Sequence, residues 1–215
     1  MIRVNSRRLV NSMHNKLTNS QNKMNTVEIN KQMKLSQHLA SPSVASLSHS
    51  CVPSVASDQR SSANELDALR LSPHFTLGEM TKTSHKTADG NIPSHVAIEN
   101  LKRLCGWLEM LREEWNKRYG EGNDPIIINS AYRSWEVNKK AGGSSTSNHL
   151  VGCAADIRCL GKEQALRYAV ILLDIADESR EDFDELIIEV RGSTLWIHFA
   201  VRPKGNRRKI VFDVK

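Results

Sequence analysis

FDELIIEVRGSTLWIHFAV, residues 183–201, decides the fold, because apolar and polar side chains alternate along it on both sides of one turn. A two-residue turn at Gly192-Ser193 predicts a β-hairpin in which Arg191 pairs with Thr194. Side chains alternate between the two faces of a strand, so one face of this hairpin carries only apolar residues. We expect that face to lie in the core, with Leu186, Ile188, Val190, Leu195, Ile197, Phe199 and Val201.

The opposite face of the hairpin carries residues that could do chemistry. The same register pairs Glu189 with Trp196 and Ile187 with His198, so a carboxylate, an indole and an imidazole share this face. Strands with one wholly apolar face are central strands of a sheet. This grouping therefore predicts a functional site rather than a solvated surface.

The segments around the hairpin predict two helices and three further strands. Ser94 can cap a helix, and apolar residues recur at helical spacing from there to about Tyr119. A second helix is predicted over residues 163–176, with an apolar side formed by Leu166, Ala169, Val170, Leu173 and Ala176. Strands are predicted over residues 125–130, 153–158 and 210–214. The predicted fold class is α+β, with helices packed on one face of a small, mostly antiparallel sheet.

The chain divides by composition into a tail, residues 1–70, and a domain, residues 71–215. Ser, Asn, Gln and Lys dominate the tail, which contains no aromatic residue and repeats the sequence PSVAS at residues 42–46 and 53–57. Such a segment buries too little apolar surface to offset the entropy of ordering it. We therefore expect the tail to be disordered, and dispensable for folding and metal binding.

The charge distribution excludes some classes of function. The first 60 residues carry eight basic and two acidic side chains, which accounts for the whole net charge of +6, and the other 155 residues carry 22 of each. A folded domain without a basic excess is not typical of a nucleic-acid-binding protein. We find neither an apolar run of about 18 residues that would span a membrane nor the apolar core of a secretory signal. We expect a monomer.

The segment Ser147-Asn-His149-Leu-Val-Gly152-Cys-Ala-Ala-Asp156 is the strongest local signal. His149 follows a Gly/Ser-rich loop, and Asp156 lies in an apolar stretch where a carboxylate is costly unless it is paired or bound to a metal. Two imidazoles and one carboxylate form a common catalytic zinc set, and His198 could supply the third ligand. The alternative is a loop histidine, a capping aspartate and a core histidine, and spacing alone does not separate the two.

The order SxHxxGxAxD followed by WxH resembles the signature of the zinc D-alanyl-D-alanine peptidases, whose fold is shared with the Hedgehog signalling domain. The sequence reads SNHLVGCAAD and then WIH, and HFTLGEM (74–80), INSAYRS (128–134) and FDELIIE (183–189) agree with it. The resemblance runs from about Leu71 to the C-terminus. It is strongest to the phage- and bacterium-encoded branch that trims peptidoglycan.

The resemblance implies a role for individual residues. His149, Asp156 and His198 match the zinc ligands, Ser147 matches a residue that holds the substrate, and Arg133 matches an arginine that stabilises the oxyanion. We also expect Trp196 to line the substrate cleft, although bulky aromatics are more often simply packing.

One position departs from the family pattern. Many relatives carry the catalytic acid three residues before the last histidine, where this chain has Leu195. Because Glu189 lies on the same face as His198 and diagonal to it, we expect Glu189 to be the general base. The alternative is that Glu189 merely pairs with an arginine.

Two functions follow from these expectations. The first is a zinc peptidase that cleaves a D-Ala-containing bond in the stem peptide of peptidoglycan, by carboxypeptidase or endopeptidase action. The second is a catalytically silent cell-wall or metal-binding module, for example part of a virion. The absence of an acid at Leu195 favours the second function, and the intact ligand set favours the first.

Overall fold

The computed structural model describes residues 68–88 and 90–214. The predicted tail, residues 1–70, therefore lies outside the described residues except for its last three. Two of these already contact the domain. Arg70 forms a single β-bridge with Thr76, and the amide of Leu77 donates to the carbonyl oxygen of Leu69 at 2.8 Å.

Four α-helices and one 3-10 turn occur in the described part of the chain. Their bounds are α1 Leu77–Thr81, α2 His95–Arg118, α3 Trp135–Lys140, the 3-10 turn Asn148–Val151 and α4 Lys162–Ser179. The two long helices were predicted, and Ser94 caps α2 by accepting a hydrogen bond from the amide of Ala97. The short elements α1, α3 and the 3-10 turn were missed, because they are too short to show a helical repeat. Within the described residues, no helix is long and apolar enough to cross a membrane.

Five strands form one sheet in the order β1-β2-β4-β3-β5. Their bounds are β1 Ile128–Ser130, β2 Ala154–Arg158, β3 Glu185–Arg191, β4 Thr194–Ala200 and β5 Lys209–Val214. Only β3 and β5 pair in parallel, and the other neighbours are antiparallel. The predicted α+β class with a mostly antiparallel sheet is confirmed. The first strand is shorter than the predicted 125–130.

The hairpin of β3 and β4 has the predicted register throughout. Arg191 pairs with Thr194, and Ile187 pairs with His198. The apolar face is buried along most of its length, and only the pair nearest the turn, Val190 and Leu195, is half-buried. The alternation of side chains therefore orients both faces of the sheet as the sequence predicted.

Helices α2 and α4 cover the apolar face of the sheet. The Trp107 ring of α2 lies 5.4 Å from the ring of Phe199 on β4, and Phe183 lies 5.6 Å from Phe199. Rings at this separation stabilise a core beyond the area they bury. Because the helices cover the apolar face, they leave uncovered the opposite face, which carries His198 and its neighbours.

The predicted apolar side of α4 was partly wrong. Leu166 and Val170 are each 50% exposed, whereas Tyr168, Ile171 and Leu172 are buried. Apolar residues occur around the whole middle of this helix, so its sequence defines no single stripe. The rotation of α4 about its axis is set by packing rather than by the pattern.

Candidate metal centre

His149 is positioned by the 3-10 turn that contains it. The hydroxyl of Ser147 caps the turn by accepting a hydrogen bond from the amide of His149 at 3.3 Å. The turn ends at Gly152, which has a φ of +71°, and a Cβ there would lie 2.5 Å from the carbonyl oxygen of Ala97 on α2. Glycine is therefore required at this position for two reasons, backbone conformation and close approach. His149 is therefore held in a buried position, with 2% of its surface exposed.

Asp156 and His198 are positioned by the sheet itself. Asp156 on β2 pairs directly with His198 on β4. Directly opposite residues in an antiparallel pair project from the same face. The two side chains therefore stand next to each other on the face that the helices leave open, and both are at least 90% buried.

Three side-chain atoms of these residues form a compact triangle. His149 Nε2 lies 3.2 Å from His198 Nδ1 and 3.2 Å from Asp156 Oδ1, and His198 Nδ1 lies 3.0 Å from Asp156 Oδ1. Ligands placed tetrahedrally at zinc's usual 2.0–2.1 Å lie about 3.3 Å from one another. Zinc therefore fits this donor set, which has the three protein ligands of a catalytic zinc site, where water or substrate takes the fourth position.

Two of the three donors are held from behind by hydrogen bonds. Nδ1 of His149 donates to the carbonyl oxygen of Ala131 at 2.5 Å, which directs the lone pair of Nε2 into the triangle. The guanidinium of Arg133 donates to Asp156 Oδ2 and, through Nε, to the hydroxyl of Ser130 at 2.8 Å. Oδ1 of Asp156 is thus one corner of the triangle, and Oδ2 accepts the hydrogen bond from Arg133.

Glu185 holds the third ligand. Its Oε2 lies 3.5 Å from Nε2 of His198, on the side of the ring away from the triangle. The contact with His198 lowers the pKa of Glu185 to about 2, against the effect of burial and together with Lys209. The sequence analysis assigned Glu185 no role.

The electrostatics of the triangle favour a cation. Burial raises the pKa of Asp156, but the two histidines outweigh it and hold the pKa below its usual value. Burial lowers the pKa of His198, but contacts with Asp156 and Glu185 outweigh it and raise the pKa to about 9. A metal ligand must be deprotonated, so metal binding at His198 releases this proton.

A buried polar cluster lies behind the two histidines. Asp184, with no exposed surface, accepts hydrogen bonds from Arg207 at 2.7 and 2.8 Å and from Asn148 Nδ2 at 2.8 Å. Asn148 Nδ2 also donates to Glu185 Oε2 at 3.1 Å, and Asn148 Oδ1 accepts from Arg202 at 2.9 Å. Since Asn148 precedes His149 and Glu185 contacts His198, this cluster connects the supports of both histidines.

Glu189 and Trp196 lie on the same open face of the sheet, and Ser147 precedes the 3-10 turn that contains His149. Glu189 pairs with Trp196 across the hairpin, and its Oε2 lies 3.1 Å from Nη2 of Arg191. The Arg191 guanidinium also lies 5.8 Å from the centre of the Trp196 ring. The structure thus brings together His149, Asp156, His198 and Arg133, while Glu189 contacts an arginine.

Asn148, Asp184, Glu185 and Arg207 are the residues that the sequence analysis missed. One signal was available for Glu185. With Ile187 opposite His198, Glu185 and Glu189 are equivalent diagonal neighbours of that histidine, one on each side. The predicted register therefore does not distinguish the two glutamates. The orientation of the imidazole ring distinguishes them, because its Nε2 faces Glu185.

Comparison with known proteins agrees with this geometry. A family model described as Peptidase M15 matches residues 73–187, just over half of the chain. The chain belongs to the peptidase M15 family. The matched region of this M15 protein includes Arg133, His149 and Asp156 and ends before His198.

One curated relative of this M15 chain is a zinc D-Ala-D-Ala carboxypeptidase of Streptomyces albus G. The two are 29% identical over 84 residues. The aligned region covers 39% of this chain and 31% of the relative, so the chain spans about a third of the length of the relative it matches.

Proposed function

We propose that this chain is a zinc-dependent peptidase that cleaves D-Ala-containing peptide bonds of bacterial peptidoglycan. The observation that carries the proposal is the triangle of His149, Asp156 and His198, whose donor atoms lie 3.0–3.2 Å apart on the open face of the sheet. Membership of the M15 family supports peptidase chemistry. The substrate class comes from the relative, which is a D-Ala-D-Ala carboxypeptidase.

Zinc, when bound, lowers the pKa of a water molecule and polarises the scissile carbonyl. Glu189 would accept the proton of the attacking water and pass it to the leaving amine. Its support is its place on the same face as His198, diagonal to it, and its side chain is 20% exposed, which leaves it accessible to water. The Glu189 carboxylate pairs with Arg191 at 3.1 Å, which fixes its position on this face.

Arg133 has two tasks in this proposal. Among the described residues, its hydrogen bonds to Asp156 and Ser130 occupy two of the five N–H groups of a guanidinium. The other donors are available to the oxygen that becomes negative when the carbonyl is attacked. One side chain thus orients a zinc ligand and stabilises the oxyanion.

Ser147 and Trp196 are proposed to contact the substrate. Ser147 is half-buried at the start of the 3-10 turn, two residues before His149, and Trp196 is half-buried two residues before His198. Each therefore stands beside one zinc ligand. In this proposal the stem peptide contacts the hydroxyl of Ser147 and the indole of Trp196 beside the metal.

The experiment that tests the function is peptide release. We expect the zinc-loaded chain to release D-Ala from a stem pentapeptide, or to cut cross-linked stem peptides, with the products identified by chromatography and mass spectrometry. Activity should disappear with a chelator and return with zinc. A zinc-loaded, folded chain that cleaves neither substrate would contradict the proposal.

A silent cell-wall or metal-binding module is the second candidate. It is favoured by Leu195, which stands where many relatives carry an acid and lies half-buried on the apolar face. Leu195 cannot accept a proton. This candidate predicts that the zinc-loaded chain binds stem peptides without cleaving them, so the same assay with a binding measurement separates the two.

A further inference from the structure

We propose that Glu185 is a positioning residue that orients the imidazole of His198 for zinc binding. The proposal rests on the zinc site of the proposed function and adds to it a residue whose effect is on metal affinity. Glu185 stands outside the ligand triangle and contacts its member His198 at 3.5 Å.

The two nitrogens of the His198 ring face different partners. Nδ1 lies 3.0 Å from Asp156 Oδ1, inside the triangle, and Nε2 faces Glu185 Oε2. A proton held on Nε2 by the carboxylate leaves the lone pair on Nδ1, which is the form that binds a metal. The contact with Glu185 therefore selects both the tautomer and the rotation of the ring.

Glu185 is itself held in place from three directions. Asn148 Nδ2 donates to its Oε2 at 3.1 Å, Arg207 Nη2 lies 3.0 Å from its Oε1, and Lys209 Nζ donates to its Oε1 at 3.2 Å. Its side chain is 15% exposed. These partners come from the 3-10 turn, from β5 and from the segment before β5, so the carboxylate has little freedom to turn away from His198.

Glu189 provides an internal comparison. The register makes it the counterpart of Glu185 on the other side of Ile187, and both carboxylates project from the same face. Glu189 pairs with Arg191 at 3.1 Å, whereas Glu185 pairs with His198. The two acids therefore have different roles. Glu185 supports the metal site, and Glu189 is available for proton transfer.

The cluster around Glu185 also supports His149. Asn148 donates to both Asp184 and Glu185, and the next residue along the chain is His149. A shift of Glu185 would therefore disturb the start of the 3-10 turn as well as the ring of His198. For this reason we expect its loss to weaken zinc binding more than the loss of one weak contact would.

The test compares the zinc affinity of full-length Glu185→Gln with that of Glu189→Gln, measured by competition with a chromophoric chelator. Loss of a carboxylate behind a metal-bound histidine costs roughly 10–100-fold in metal affinity. We expect a loss of that size for Glu185→Gln and a change of less than about twofold for Glu189→Gln. Cobalt(II) substituted for zinc should show altered visible absorption bands in Glu185→Gln only.

A second variant keeps the test decisive if Glu185→Gln does not fold. Glu185→Asp keeps the charge but withdraws the carboxylate by one methylene, and we expect it to lose an intermediate amount of zinc affinity. Wild-type affinity and cobalt bands in Glu185→Asp, or in a folded Glu185→Gln, would overturn the inference.

The same experiment separates this inference from the proposed function. A wild-type chain that binds no zinc would overturn both. A chain that binds zinc, loses affinity in Glu185→Gln and cleaves no stem peptide would overturn the peptidase activity and support the role of Glu185.

Discussion

The guanidinium of Arg133 donates to Oδ2 of Asp156, the carboxylate oxygen that does not face the two histidines. Its Nε also donates to the hydroxyl of Ser130 on β1, so three segments meet at one side chain. The arginine therefore stands behind Asp156, one of the three donors of the triangle.

Arg133→Lys should lower kcat by about 10²–10³, because a lysine cannot reproduce the forked donors that a developing oxyanion needs. It should also raise the zinc dissociation constant by about tenfold, because Asp156 loses its support. Both are measured by stem-peptide release at saturating zinc and by chelator competition. Arg112→Lys, at a half-buried arginine of α2 that contacts Asn123, is the control. Near-normal turnover in Arg133→Lys would exclude the oxyanion role.

Zinc is expected at about one ion per chain, as a single catalytic site requires. The double variant His149→Ala/His198→Ala removes two of the three donor atoms and should bind no stoichiometric zinc. Elemental analysis of metal-replete, desalted protein is the measurement. Stoichiometric zinc in the double variant would show that the metal binds elsewhere.

Glu189→Gln should retain zinc and fold but lose at least the ~10²-fold in kcat that a positioned base contributes. Asp213→Asn is the matched control, because Asp213 contacts the same Arg191, at 2.6 Å, from the neighbouring strand. Its kcat should stay close to that of the wild type. If Glu189→Gln turns over normally, another acid must be the base.

Gly152→Ala should destabilise the domain by about 2–5 kcal/mol, the sum of a left-handed alanine and an overpacked contact. The contact is with the carbonyl oxygen of Ala97, 2.5 Å from the new Cβ. Gly142→Ala is the control, since Gly142 has a φ of +70° and open space around it, and it should cost only about 1–2 kcal/mol. Urea unfolding measures both, and equal losses would show that the contact with α2 is unimportant.

Asp184 should make stability depend on acid pH. Burial raises its pKa, but Arg207, Asn148 and Arg202 outweigh burial and lower the pKa below the usual value. A carboxyl with a lowered pKa in the folded state contributes stability above its unfolded pKa, about 3.9, and that contribution is lost as pH falls through its folded value. The free energy of unfolding should therefore fall more steeply below about pH 4 in the wild type than in Asp184→Asn.

At pH 7, Asp184→Asn should cost about 1–3 kcal/mol, because it weakens a buried, charge-assisted network. Asp182→Asn is the control, since Asp182 is 55% exposed and pairs only at the surface with Arg208. Urea unfolding at pH 7 and pH 3 is the measurement, and excess chelator removes the contribution of the metal to stability. Parallel pH curves for the wild type and Asp184→Asn would contradict the assignment.

Much of this site was readable from local patterns. The alternation in residues 183–201 predicted the register of β3 and β4, and the structure confirms it at each pair. Alternation works here because a one-residue slip would turn the whole apolar face to solvent. Helix α4 shows the limit of this kind of prediction. Rotating a helix that is apolar nearly all round exposes little additional apolar surface, so its sequence does not fix which side is buried. Leu166 was therefore wrongly predicted to face the core, and it is half exposed.

By itself, the sequence determined the fold class and the two faces of the hairpin, because alternation is a local property of the chain. Its resemblance to the zinc peptidases indicated the three side chains that converge as donors. Only the tertiary structure decided which acid supports His198. Glu185 and Glu189 are equivalent in register, and the choice depends on side chains that arrive from distant segments. Asn148 from the 3-10 turn, Arg207 from the segment before β5 and Lys209 at the start of β5 hold Glu185 against the ring, while Arg191 pairs with Glu189.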